Sequence, residues 1–157
     1  MHYIVDGYNV IRKTPFLDHE KLKDAREALL RFIDTYHPQG SPTNKITVVF
    51  DAQNSNAHFS YKGEVAVVFS RNESADDCIT SLVDQSRNAR NVRVVSDDRE
   101  LVLNCRSRGA EAVSVRDFIE TPRKKMRASQ KKAEGFFELP YSERIKINEE
   151  LGKLWLK

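Results

Sequence analysis

Cysteine is nearly missing from this chain: there are two in 157 residues. Cys78 and Cys105 fall within apolar helical patterns and not in C-x-x-C spacing, which excludes a disulfide framework or a thiolate metal site and leaves buried free thiols. Glycine is scarce too. The six glycines, at 7, 40, 63, 109, 135 and 152, are scattered, so no G-x-G-x-x-G or P-loop exists to cradle a nucleotide cofactor. The four histidines (His2, His19, His37, His58) lack metal spacing, and no serine stands in a nucleophile-elbow context. No apolar run approaches the ~20 residues of a membrane span, and no basic segment followed by an apolar one opens the chain. The expectation is a cytoplasmic protein with no membrane partner.

Hydrophobic residues make up 39% and charged residues 31%, ordinary values for one globular domain of this length. The net charge of +3 is unevenly spread. Residues 1–120 hold 16 Lys/Arg against 18 Asp/Glu, whereas residues 121–135 hold six cations (Arg123, Lys124, Lys125, Arg127, Lys131, Lys132) and one acid, Glu134. A mildly acidic body with one basic segment suits a polyanion gripped away from an acidic centre. The same segment has a plainer reading as a solubilising arm.

Four short apolar runs read as strands: Tyr3–Val5, Ile46–Phe50, Val65–Phe69 and Val92–Val95, with a fifth at Ala112–Val115. The second run is apolar without alternation, as in parallel strands covered on both faces. Between them lie helical patterns. Leu22, Ala25, Leu29, Phe32, Ile33 and Tyr36 share one face, with Asp18 as candidate N-cap and Pro38 and Gly40 as stop; another helix starts near Ser74, and a third follows Asp98 and ends at Gly109. Alternating strands and helices predict a mostly parallel α/β sheet. Residues 52–64 read as an irregular polar loop. Thr121–Gly135 reads as a mobile arm or a solvated helix. A last helix, capped by Ser142 and carrying Ile147, Leu151, Leu154 and Trp155 on one face, is expected to pack back on the domain. The division is therefore 1–120 as the main domain and 121–157 as basic arm plus C-terminal helix.

The strands end on acids: Asp6, Asp51, and Asp98 after Ser96-Asp97, with Asp76 and Asp77 opening a helix after the third strand. Groups at the carboxyl ends of parallel strands gather at one edge. Two carboxylates ~4 Å apart repel by about 4 kcal/mol at an effective dielectric near 20, so such a cluster calls for a cation or raised pKa values. Magnesium and manganese suit all-oxygen sites shared with phosphates, and such metals drive phosphodiester hydrolysis. Each acid also has a reading as local structure. Ser74-Ala75-Asp76-Asp77 is a capping box, Asp97-Asp98-Arg99-Glu100 can likewise be a cap with its N3 partner, and Asp51 can open a turn. Asp6 is harder to dismiss, since Gly7 and Asn9 after it start no obvious helix. On the polar loop, His58, Phe59 and Tyr61 are candidates for stacking on an unpaired base, or simply exposed loop residues.

The segments Val5-Asp6-Gly7-Tyr8-Asn9-Val10-Ile11, Val49-Phe50-Asp51-Ala52, Ser74-Ala75-Asp76-Asp77-Cys78-Ile79 and Val94-Val95-Ser96-Asp97-Asp98-Arg99-Glu100-Leu101 follow one another as in the NYN domains of the YacP-like type, within the PIN-like ribonuclease superfamily. The chain resembles that family over residues 3–119. The resemblance implies a Rossmann-like three-layer α/β/α fold with a C-terminal helical extension, and a metal-dependent endoribonuclease acting on RNA, with ribosome-linked processing or decay among its settings. Carried over, it makes Asp6, Asn9, Asp76, Asp77 and Asp98 catalytic and Asp6, Asp51, Asp76 and Asp98 ligands of Mg²⁺ or Mn²⁺. Arg123, Lys124, Lys125, Arg127, Lys131 and Lys132 become contacts to RNA phosphates. The doubled aspartate at 97 and 98 leaves open which acid, or Glu100, joins the site. Two rivals stand beside this reading: a non-catalytic RNA- or ribosome-binding module, and a metal-dependent phosphatase, which lacks the expected D-x-D after the first strand.

Overall fold

The computed structural model describes the backbone at residues 1–18, 21–52 and 59–133, and the side chains of these except 22, 123 and 130–133. Its centre is a five-stranded sheet: β1 (His2–Asp6), β2 (Lys45–Asp51), β3 (Ala66–Ser70), β4 (Val92–Val95) and β5 (Glu111–Val113). The order is β3-β2-β1-β4-β5, and every neighbouring pair is parallel. Residues 46–50 of β2 are all buried, as a strand covered on both faces requires.

Successive side chains of a strand point to opposite faces, and two cores result. Tyr3, Val5, Val48 and Phe50 join α1 (Gly7–Lys13), α2 (Leu22–Tyr36) and α5 (Val115–Ala133) on one face. Ile4, Val49, Val92 and Val94 join α3 (Ala75–Gln85) and α4 (Arg99–Ser107) on the other, where Cys78 and Cys105 are buried free thiols. The chain is thus an α/β protein with three layers. Among the described residues no helix is long and apolar enough to cross a membrane.

Two local expectations need correction, and one open alternative is decided. Gly7–Lys13 is a helix and not a loop, with Asp6 at its N-cap position. It starts there because Gly7 lets the backbone press on Phe50: a Cβ at Gly7 would lie 2.3 Å from the Phe50 ring. Asp18 closes a short 3-10 turn at Pro15–Leu17, and Lys21 stands at the start of α2. Of the two readings of the basic segment, mobile arm or solvated helix, the helix holds as far as residue 133: it is the second half of α5, which runs through residue 120 and Pro122 without a break. Pro122 is buried, and Val115, Phe118, Ile119 and Pro122 form one apolar stripe on the sheet. Burial of that stripe outweighs the hydrogen bond that a proline removes. The expected last helix, with Ser142 and Trp155, lies outside the described residues.

Candidate active site

In this strand order the chain leaves β1 in both directions, and the crevice between β1 and β4 is the topological switch point where open α/β sheets bind ligands. Asp6 ends β1 there and is only 8% exposed. Across the crevice stands Ser96, also buried, whose Oγ donates to Asp6 Oδ2 at 3.2 Å and accepts from the Asp98 backbone N–H at 3.1 Å. One hydroxyl therefore ties the acid of β1 to the turn after β4. Sequence reasoning passed over Ser96. Its place two residues before a strand-end acid was the available signal.

The acids feel one another. Burial pushes the Asp6 carboxyl up to about 6; the Asp76 charge adds to this, Ser96 and the Asn9 N–H pull back, and Asp98 raises it further. Asp6 stands at the N-cap position of α1 without closing a capping hydrogen bond. Asp76, half-buried on the first turn of α3, is raised by burial first and then by Asp98, Asp77, Glu100 and Asp51 in that order. Asp76 thus feels acids from β2 and α4 as well as its own helix, and Asp6 feels Asp76 and Asp98. Asp51, at the end of β2, pairs in register with Ser70. Ser70 is buried, and its Oγ has no hydrogen-bond partner.

Several expected residues have structural duties as well. Ser74 accepts from the Asp77 N–H at 3.1 Å, and Asp98 Oδ1 accepts from the N–H groups of Glu100 and Leu101, so the capping reading holds at both places. Capping occupies one oxygen of Asp98, and its charge still reaches Asp6 and Asp76. Asn9 Oδ1 accepts from the Asp97 N–H at 2.9 Å, while Asp97 Oδ1 accepts from the Val115 N–H at 3.0 Å. Asp97 is therefore the clamp that starts α5, and Asp98 is the acid that faces the cluster. Glu100 is exposed, with its charge felt at Asp76.

The donor set is entirely oxygen, with mutually raised carboxyls and an orphaned hydroxyl on the same edge, and this chemistry fits Mg²⁺ or Mn²⁺. The expected four-carboxylate cage is not preformed, however: among the described residues no three His, Cys, Asp or Glu side chains draw close enough to hold an ion alone.

The expected RNA contacts lie elsewhere. His58 is outside the described residues. Phe59 packs edge-on against Phe69, with Arg26 5.3 Å from its ring centroid, and the Tyr61 hydroxyl donates to Asp34 near the amino end of the strands. Both rings are used inside the fold, which corrects their reading as exposed stacking platforms. Lys124 pairs with Asp117 at 3.4 Å, and Lys125 Nζ lies by Gly40, beyond the amino end of β2. Arg127 is exposed, and 123, 131 and 132 are placed by backbone alone on α5. The basic half of α5 is thus at the opposite end of the sheet from the acids.

A family model of the YacP-like NYN domain matches residues 3–154. The chain belongs to the YacP-like NYN family. NYN membership makes it a nuclease-type, RNA-related domain. A mutant form of Rae1 (YacP) from Bacillus subtilis is 27% identical with a TM-score of 0.64, over 92% of this chain and 90% of that one. The structure of Rae1 (YacP) from the same organism is 24% identical with a TM-score of 0.63, over 98% and 91%; at that identity it bears on the fold alone. No curated protein sequence matches.

Proposed function

We propose that this NYN domain is a metal-dependent endoribonuclease that hydrolyses RNA phosphodiesters in the cytoplasm, with RNA on the ribosome as one setting. The reading is supported by the buried Asp6 at the switch point, whose carboxyl is raised by burial and by the charges of Asp76 and Asp98, and by Asp76, raised by burial and by Asp98. Asp6, Asp76 and Asp98 would hold Mg²⁺ or Mn²⁺, with Asp51 in reach of a second ion. When bound, such an ion supplies an acidified water and neutralises charge on the scissile phosphate. Ser96 fixes the rotamer of Asp6 and holds the turn that presents Asp98. Asn9, held through Oδ1 by Asp97, keeps its Nδ2 to donate to a phosphate oxygen. Asp77 and Glu100, exposed at the rim, orient the attacking water and take up its proton, and the leaving oxygen of the broken P–O bond gains one from solvent. Residues 1–120 and 121–133 act as one unit through α5, with the basic half of that helix holding backbone phosphates.

The absence of a preformed cage among the described residues favours one alternative, a non-catalytic RNA-binding module. Incubating the purified chain with mixed RNA and Mn²⁺, with EDTA as control, separates the two. The nuclease cleaves only with metal, and Asp6→Asn loses cleavage while still binding RNA. A chain that binds RNA but never cleaves it is the module.

A further inference from the structure

The end of the sheet opposite the acids carries features that the cleavage site does not use. The connection from α2 into β2 turns through two left-handed residues: His37 (φ 48°), the C-cap of α2 whose N–H donates to the Ile33 carbonyl, and Gly40 (φ 91°). Between the two, Gln39 is 4% exposed, and its Oε1 is buried with no hydrogen-bond partner. Native structures hold few buried amide oxygens without a partner. Asn44 does not relieve it, because its Nδ2 donates to the Gln39 backbone carbonyl at 2.9 Å.

Gln39 lines a cavity of about 310 Å³ together with His2, His37, Asn44, Lys45 and Glu64, a volume at the lower end of small-ligand sites. The lining mixes ring nitrogens, amides and charges. Lys125 of α5 arrives at the same connection, its Nζ 3.6 Å from where a Cβ would stand on Gly40, and the exposed Arg127 follows on the helix. A polar cavity beside an unpaired buried acceptor, with Lys45 in its wall and Lys125 at the neighbouring Gly40, matches a flat heterocycle with edge N–H groups and a flanking phosphate.

We propose that this cavity and the basic half of α5 form a second RNA contact, which holds one unpaired nucleobase against Gln39 with its neighbouring phosphates on Lys45 and Lys125. Unpaired bases offer their hydrogen-bonding edges in this way, and the cations supply the salt-sensitive part of the affinity. The inference rests on the RNA reading of the cleavage site and adds where the rest of the strand goes. From His2 to Asp6 the β1 backbone rises roughly 13 Å at ~3.3 Å per residue, so an RNA that fills both sites runs along the sheet from one end to the other.

The test uses the full chain in EDTA, where no turnover occurs, with single-stranded RNA of 4 and 16 residues carrying 4-thiouridine. The 16-mer should bind at least about tenfold tighter than the 4-mer and cross-link to residues 37–45 and to α5. Gln39→Leu should weaken the 16-mer about fivefold, as loss of one hydrogen bond of ~1 kcal/mol implies, and remove the cross-links at 37–45. Equal affinity for the two lengths, or cross-links confined to the acidic cleft, overturns the proposal even if Gln39→Leu does not fold. Displacement of the cross-link by micromolar uridine monophosphate also overturns it, since the cavity then takes a free nucleotide and no RNA strand. Cross-linking at 37–45 without Mn²⁺-dependent cleavage sinks the nuclease and leaves this contact standing, whereas cleavage without cross-linking there does the reverse.

Discussion

With a pKa of about 6 against 3.8 for the unperturbed group, Asp6 binds more protons in the folded than in the unfolded chain between those values. Stability from this group is complete below about pH 4 and is lost as pH rises through about 6. A two-unit elevation corresponds to roughly 3 kcal/mol. Asp6→Asn should therefore unfold at higher urea than the native chain at pH 7.5, by up to that amount, with the two curves converging near pH 4. A difference independent of pH contradicts the assignment of burial and Asp76 as its cause. Next to it, Gly7→Ala drives a methyl into the Phe50 ring, which is fully buried. Overpacking of that kind costs about 1–3 kcal/mol, visible as a lower urea midpoint with an unchanged slope. At this scale the acids were legible because apolar runs visibly end on them. The division of labour between Asp97 and Asp98 was not, because it depends on Val115 arriving 18 residues later from another element.

Asp98 serves α4 and the cluster at once, and the two roles can be separated. As N-cap it satisfies two backbone N–H groups, and removing a cap costs roughly 1 kcal/mol. Asp98→Ser keeps a capping oxygen but removes the charge, so thermal stability should stay near native while metal-dependent RNA cleavage is lost. Asp98→Ala should lose both. If Asp98→Ser cleaves as the native chain does, the acid belongs to the helix alone. Elements were readable wherever local signals agreed with burial. The strand Val92–Val95 and the capped starts after Ser74 and Asp98 needed no information from elsewhere in the chain. Helix α1 was hidden because its start depends on contact between Gly7 and a ring 43 residues away. The continuity of α5 was hidden because Pro122 signals a break in sequence and is overruled only by packing on the sheet. Phe59 and Tyr61 looked like exposed loop residues for the same reason, since Phe69, Arg26 and Asp34, which hold them, are distant in sequence.

The molecule as a whole is polarised along its strands. Acids gather at the carboxyl end, the basic half of α5 lies at the other, and a parallel sheet with a buried centre keeps the two apart. RNA held at the basic end should respond strongly to salt, with log affinity falling at ~0.7 per phosphate neutralised on a single strand. Catalytic-site variants such as Asp6→Asn should leave that slope unchanged in filter-binding titrations from 50 to 200 mM salt, and a changed slope would place the phosphate contacts at the acidic end instead. The direct measurement of the central claim is Mn²⁺ binding at pH 7.5, followed by the electron paramagnetic resonance of the free ion. The native chain should take up Mn²⁺, while Asp6→Asn and Asp76→Asn should each bind it at least about tenfold more weakly. Equal uptake by all three chains, or none by the native chain with RNA present, would contradict a shared ion at Asp6, Asp76 and Asp98.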